Sequence, residues 1–191
     1  MRQKGINIMK KIYAFLAHGF EETEALMVID LMRRSHTIDV VTVSITDELM
    51  VESSHKVNIM ADKLIKDINF DEGDGIFLPG GIPGTPNLEA CDMLKQAILK
   101  YYKEGKYLTA ICAAPSIYSH LGLLKDKRAT SHGSFEKEMD CKEYGGSVVT
   151  DGQFVTANGL GSALEMGLEM VSILDSKEKA ESIAKAIHFN R

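Results

Sequence analysis

Cys112 sits in the run Ala110-Ile111-Cys112-Ala113-Ala114-Pro115, where an apolar strand-like stretch gives way to a proline suited to the first turn of a helix. A strand-to-helix turn that presents a nucleophile is tight, and small neighbours relieve its crowding; the flanking alanines supply them. A thiol at a helix N-terminus is expected to feel the helix dipole and nearby amide donors, both of which favour the thiolate. The competing reading is a buried structural cysteine, the usual state of a free thiol. Position alone leaves both open.

Three other segments hold groups that would complete such chemistry. Glu24 falls in the first turn of a predicted helix, where acids favour the dipole and most are solvated; Glu21 and Glu22 fit that description. A Glu24 turned inward beside Cys112 would differ. Its pKa would rise, and as a neutral acid it would donate a hydrogen bond to the thiolate. Pro79-Gly80-Gly81 is either a tight turn or a place where backbone N–H groups approach an oxyanion, with the Gly81 and Ala113 amides forming the hole. No Gly-Lys-Ser/Thr follows, which weighs against a phosphate loop. His132 is a general base or a surface imidazole, and His18, His36, His55, His120 and His188 show no functional spacing.

The elements that must position these groups alternate along the chain. Ile12–Ala17, Ile38–Ile45, Gly75–Leu78, Tyr107–Ile111 and Arg128–Ser131 read as strands. Thr23–Arg34 reads as a helix with acids at its start and arginines at its end. A helix with a possible break is expected from Thr85-Pro86, as cap and first position, to Lys103, and another over Ala113–Leu121. Met50–Ala61 reads as a hairpin, and Asp151-Gly152 marks a second between Ser147–Thr150 and Gln153–Thr156. Ser162 and Glu165 form a capping box for a helix ending near Leu174, and Ser176 caps a final helix to Ile187. This alternation predicts a flavodoxin-like α/β sandwich, a mainly parallel sheet with helices on both faces. Strand C-terminal ends then share one edge, and the four segments meet there.

Composition sets the frame. The chain has 191 residues, 45% hydrophobic and 26% charged, which suits one globular domain over residues 10–191. Residues 1–9 read as a flexible lead-in, since Met9-Lys10-Lys11 looks like a second start. The net charge of −5 argues against nucleic acid and anionic membrane as partners. Three cysteines without a C-x-x-C pattern exclude a disulfide framework and zinc-finger spacing, so no metal or cofactor is expected. At least one thiol stays free, which suits a cytoplasmic location. The apolar stretch Leu164–Leu174 carries Glu165 and Glu169 and cannot span a bilayer. Ten methionines look like core filler, with Met27 and Met32 as candidates for a partner face.

Gly19-Phe20-Glu21-Glu22-Thr23-Glu24, Leu78-Pro79-Gly80-Gly81 and Ala110-Ile111-Cys112-Ala113-Ala114-Pro115 occur in this order. Together they resemble the ThiJ/PfpI superfamily, in the branch of the parkinsonism-associated deglycase and its bacterial relatives, over residues 10–188. The resemblance implies that Cys112 is the reactive, oxidation-sensitive thiol, Glu24 its protonated partner, His132 the nearby histidine and Gly81 the amide of the Pro-Gly-Gly turn. It also implies a homodimer with the first helix at the interface. The proteolytic branch has a histidine directly after the cysteine; Ala113 stands there, so a protease is not supported. Ala114 replaces a frequent glycine, and His55 replaces an arginine near the dimer crevice of some relatives.

Two functions follow as expectations. In the first, the chain acts on small reactive dicarbonyls or glycated groups. Cys112 adds to the aldehyde, the Gly81 and Ala113 amides hold the oxyanion, and Glu24 with His132 moves protons through an enediol to lactate or glycolate. In the second, peroxide oxidises Cys112 to a sulfinate held by Glu24, and the protein senses or protects without turnover. A glutamine-amidotransferase domain would need a late His-x-Glu pair, but His188 is followed by Phe189 and Asn190. A flavin site is disfavoured by the acidic loop after the first strand.

Overall fold

A computed structural model describes residues 9–189, so the expected lead-in lies outside the described residues except for Met9. The chain begins with β1 (Lys10–Leu16), α1 (Glu22–Arg33), β2 (Ile38–Ser44), the hairpin β3 (Met50–Glu52) and β4 (Asn58–Met60), and a short β5 (Lys63–Leu64). It continues through β6 (Gly75–Leu78), α2 (Gly84–Ala90), α3 (Asp92–Glu104), β7 (Tyr107–Ile111) and α4 (Pro115–His120). The last part holds β8 (Arg128–Ala129), β9 (Glu143–Tyr144), β10 (Val148–Asp151), β11 (Phe154–Ala157), α5 (Ala163–Leu174) and α6 (Lys177–Ala186).

Seven strands form the central sheet in the order β10-β11-β7-β6-β1-β2-β5, and only the edge pair β10–β11 is antiparallel. The middle of that order, β2-β1-β6-β7-β11, is the flavodoxin-like arrangement. β1 shows why the strand run has no polar face. Ile12, Ala14 and Leu16 pack into one core with α1, α5 and α6, while Tyr13, Phe15 and Ala17 pack into the other with α2, α3 and α4. A strand covered on both faces must be apolar throughout. Each fully buried Leu, Ile or Phe in these layers contributes about 1.5–3 kcal/mol. α1 and α5 approach so closely that a Cβ on Gly167 would lie 2.5 Å from Leu31 Cδ1.

Several local expectations are corrected. α2 starts at Gly84 behind Pro83, so Thr85 is inside the helix rather than its cap; the break before α3 falls at Cys91. α4 starts at Pro115, which leaves Cys112–Ala114 as a turn. Ser162 accepts no capping bond from the first turn of α5; its hydroxyl turns back instead, with one proton shared between Asn158 Oδ1 at 2.9 Å and Gly159 O at 2.8 Å. Ser176 does cap α6, accepting from Lys179 N at 3.2 Å. The hairpin β10–β11 turns on Gly152-Gln153, since Asp151 still pairs with Phe154. β8 is shorter than Arg128–Ser131 and pairs with β9 outside the main sheet. Met32 is fully buried and not on a partner face, while Met27 is half-buried. Among the described residues no helix is long and apolar enough to cross a membrane.

Candidate active site at the strand ends

Cys112 follows β7 directly and has φ +63°, a left-handed backbone that costs a non-glycine residue about 1–3 kcal/mol. Its neighbours hold it there. The Cys112 N–H donates to Ala157 O at 2.9 Å, at the end of β11, and its carbonyl accepts from His132 N at 2.8 Å. The alanines on either side are buried, as such a cramped turn requires. The Ala113 and Gly81 amides donate to the thiol.

Glu24 lies inward at the base of α1, only 2% exposed. Its backbone N–H is held by the Glu21 carboxylate at 2.5 Å, and its own Oε2 accepts from Gly80 N at 3.2 Å. The Leu160 amide and the Cys112 thiol lie close enough to favour its charged form. Gly80 is required between them, because a Cβ there would sit 2.6 Å from both Cys112 Cβ and Glu24 Oε2. Gly81 has φ +98°, and a Cβ on it would run into the backbone of Gly19, Phe20 and Glu21.

The electrostatics correct one expectation. Burial pushes the Glu24 carboxyl up to about 7, as anticipated for an inward acid, and the Glu21 charge adds to the rise. Burial also pushes the Cys112 thiol up, to about 12, with the Glu24 charge and its hydrogen bond acting in the same direction. The Ala113 and Gly81 amides oppose this but are outweighed. The dipole of a six-residue α4 does not produce a free low-pKa thiolate. The pair is instead a buried thiol beside a buried carboxyl, each holding its proton more tightly than usual.

His132 reaches the site on a segment outside the main sheet. That segment is tied to β11 by Thr130 N donating to Thr156 Oγ1 at 3.0 Å. The His132 side chain is exposed and caps the short 3-10 helix Gly133–Glu138, with Nδ1 accepting from Ser134 N at 3.3 Å. Nδ1 also lies 2.8 Å from Ser134 Oγ, so the ring is held through Nδ1 and Nε2 is the nitrogen left for a ligand, as donor or acceptor according to the tautomer. The expectation of a solvated Glu21 and Glu22 also fails. Glu21 caps α1, and Glu22 lies 3.1 Å from His55 Nδ1.

These groups open into a pocket of about 700 Å³. Of the predicted residues, Glu24, Cys112 and His132 line it, whereas Gly80, Gly81 and Ala113 press on the acid–thiol pair without forming its wall. Sequence reasoning missed Tyr144, Asn158 and Leu160, which line the far side. The glycine pairs beside them, Gly145-Gly146 and Gly159-x-Gly161, were the available signal. Cys91 and Cys141 are half-buried and pack against the opposite core.

A model of the DJ-1/PfpI family matches residues 10–173. DJ-1 homolog B of Arabidopsis thaliana is 36% identical over 178 residues, which cover 92% of this chain and 40% of that protein, so the chain spans less than half of this relative. A Caenorhabditis elegans protein named glutathione-independent glyoxalase DJR-1.2 is 28% identical over 170 residues, covering 87% of this chain and 89% of its own length. The structure of oxidized Toxoplasma gondii DJ-1 superposes with a TM-score of 0.91 at 32% identity, covering 95% of this chain and 100% of the other. The family model spans both the Cys112 elbow and the Glu24 turn, and on that match the chain belongs to the DJ-1/PfpI family.

Proposed function

We propose that this chain is a cysteine-dependent enzyme that converts small 2-oxoaldehydes such as methylglyoxal to 2-hydroxy acids, or acts on the related glycated groups. The observation that carries this reading is the buried contact of the Cys112 thiol with the Glu24 carboxylate at the floor of an open pocket. The name of the Caenorhabditis elegans relative supports the same chemistry. As Cys112 Sγ adds to the aldehyde carbon, its proton passes to Glu24 and the Gly81 and Ala113 amides receive the developing oxyanion. Glu24 returns this proton to the oxyanion, giving the hemithioacetal, and then as a carboxylate removes the hydrogen on the carbon that sulfur has attacked. His132 Nε2–H polarises the neighbouring oxygen through the enediol. Protonation of the second carbon leaves a thioester, and water releases the hydroxy acid and the thiol. The sum is one dicarbonyl plus one water to one hydroxy acid, with no net redox change.

The test is methylglyoxal turnover by the wild type and Cys112→Ala, with D- and L-lactate resolved. Turnover is expected to vanish in the variant, and unchanged turnover rejects the mechanism. The three free cysteines support a reducing, cytoplasmic setting. Exposed Leu26 on α1 offers apolar surface for the expected homodimer.

A second reading rests on the same pair. The amides around Cys112 and a protonated Glu24 are suited to holding a sulfinate, and the Toxoplasma relative is described as oxidized. Intact mass after mild peroxide is expected to gain two oxygens at Cys112; oxidation first at Cys91 or Cys141 removes this reading.

A further inference from the structure

We infer that Tyr144 and Leu160 form an apolar wall that fits the pocket to 2-oxoaldehydes carrying an aryl substituent better than to methylglyoxal. The inference rests on the reading of Cys112 as a nucleophile toward such aldehydes and adds the substituent that the pocket holds. Both residues line the same pocket as Cys112 and Glu24. Its volume of about 700 Å³ is of the size that takes drug-sized ligands, far more than methylglyoxal fills.

Tyr144 is fixed by the chain around it. Gly145 N donates to Ala129 O at 3.1 Å, and Thr130 Oγ1 donates to Gly146 O at 2.9 Å. The Tyr144 hydroxyl donates to Ser131 O at 3.0 Å. These three bonds tie the Tyr144 loop to the segment that ends at His132, whose N–H donates to Cys112 O at 2.8 Å. With its one hydroxyl proton engaged on Ser131, the tyrosine offers a ligand its ring. Leu160 comes from the loop after β11. A Cβ on Gly159 would stand 3.8 Å from His132 Cδ2 and 4.0 Å from Glu24 Oε1, so this loop passes beside the acid. The Leu160 side chain is nevertheless 49% exposed. Cover by an apolar group of a ligand is the burial still open to it. Gly133, Gly145 and Gly161 also line the pocket, and a Cβ on any of them would meet nothing within 4 Å. A ring therefore has room between the wall and the thiol.

The test compares alkylation of Cys112 by N-phenyl-2-iodoacetamide and by iodoacetamide, followed at the Cys112 peptide and divided by the same ratio for a small free thiol. In each reaction sulfur displaces iodide and the thiol proton leaves to the buffer, so the reagents differ only in the phenyl group. The wild type is expected to favour the aryl reagent about fivefold or more beyond the free thiol. Tyr144→Ala and Leu160→Ala are each expected to cut that preference about threefold, and Tyr144→Phe, which keeps the ring, to retain it. A wild-type ratio equal to that of the free thiol, a ratio that neither alanine variant moves, or its loss in Tyr144→Phe overturns the inference. Turnover of phenylglyoxal to mandelate against methylglyoxal to lactate, each with one water consumed, gives the enzymatic readout. If neither is turned over while the alkylation ratio stands, the proposed enzyme function falls and the aryl wall remains. Methylglyoxal turnover with a free-thiol alkylation ratio leaves the function and removes the wall.

Discussion

Glu22 and Glu24 are two residues apart in the first turn of α1, yet they face different worlds. Glu22 looks outward to the turn of the β3–β4 hairpin, where His55 lies 3.1 Å away. Burial alone would raise its carboxyl, but its own backbone N–H, hydrogen bonds from Ser53 and His55, and the His55 charge together bring it below the usual range. Glu24 looks inward to a thiol and meets no cation, so burial wins and carries it up to about 7. Helix position is the same for both, and the dipole favours both anions. What separates them is whether the charged form has a compensating partner. One carboxyl is therefore set to stay ionised and the other to exchange a proton at neutral pH.

The largest expected effect is on turnover. Glu24→Gln keeps the shape and removes the exchangeable proton, and kcat/KM for methylglyoxal is expected to fall about 10²–10⁴-fold. Glu22→Gln is expected to stay within about twofold. Equal losses in steady-state assays would erase the contrast.

Stability against pH gives the next effect, with opposite signs. The Glu24 carboxyl binds its proton more tightly folded than unfolded, so its contribution is full below about 4.5 and is lost as pH rises to about 7. The loss is on the order of 3 kcal/mol for a shift of this size. Glu22, shifted downward, contributes stability above its ordinary value of 4.5 that is lost as pH falls. Urea midpoints from pH 3 to 8 are expected to show Glu24→Gln flattening the neutral limb and Glu22→Gln flattening only the acid limb. A shared limb would mean that the two carboxyls have the same environment.

Gly80→Ala gives the smallest effect and sharpens the inner side. Its methyl group must push Cys112 Cβ and Glu24 Oε2 from 2.6 Å to normal contact. Turnover is expected to fall about tenfold, as a misplacement below 1 Å implies. The pH limb assigned to Glu24 should shift with it, and a variant matching the wild type in both would show that the contact is not needed.

The sheet is legible in the sequence because its strands are short apolar runs between glycines and charged turns. Ile12–Ala17 and Gly75–Leu78 land within two residues of β1 and β6 for that reason. The elbow at Cys112 is legible from its small neighbours. The capping box at Ser162 misleads because spacing cannot reveal that the side chain turns back toward Asn158 and Gly159, away from the first turn of α5. The thiol's raised pKa is hidden for a related reason. Spacing places a dipole beside Cys112, while burial and the charge of Glu24 come from residues 88 positions away or from the whole fold. The far wall, with Tyr144, Asn158 and Leu160, lies on loops that have no period to read.

Glu24 accepts a bond from the Gly80 amide and lies beside the Leu160 amide, and so joins the early, middle and late parts of the chain at a single carboxyl. Long loops must close before those contacts can form, and their entropy is recovered only when distant segments have already met. The full environment of Glu24 therefore assembles only when all three parts of the chain have met, so the proton affinity of this one carboxyl reports on the completeness of the fold.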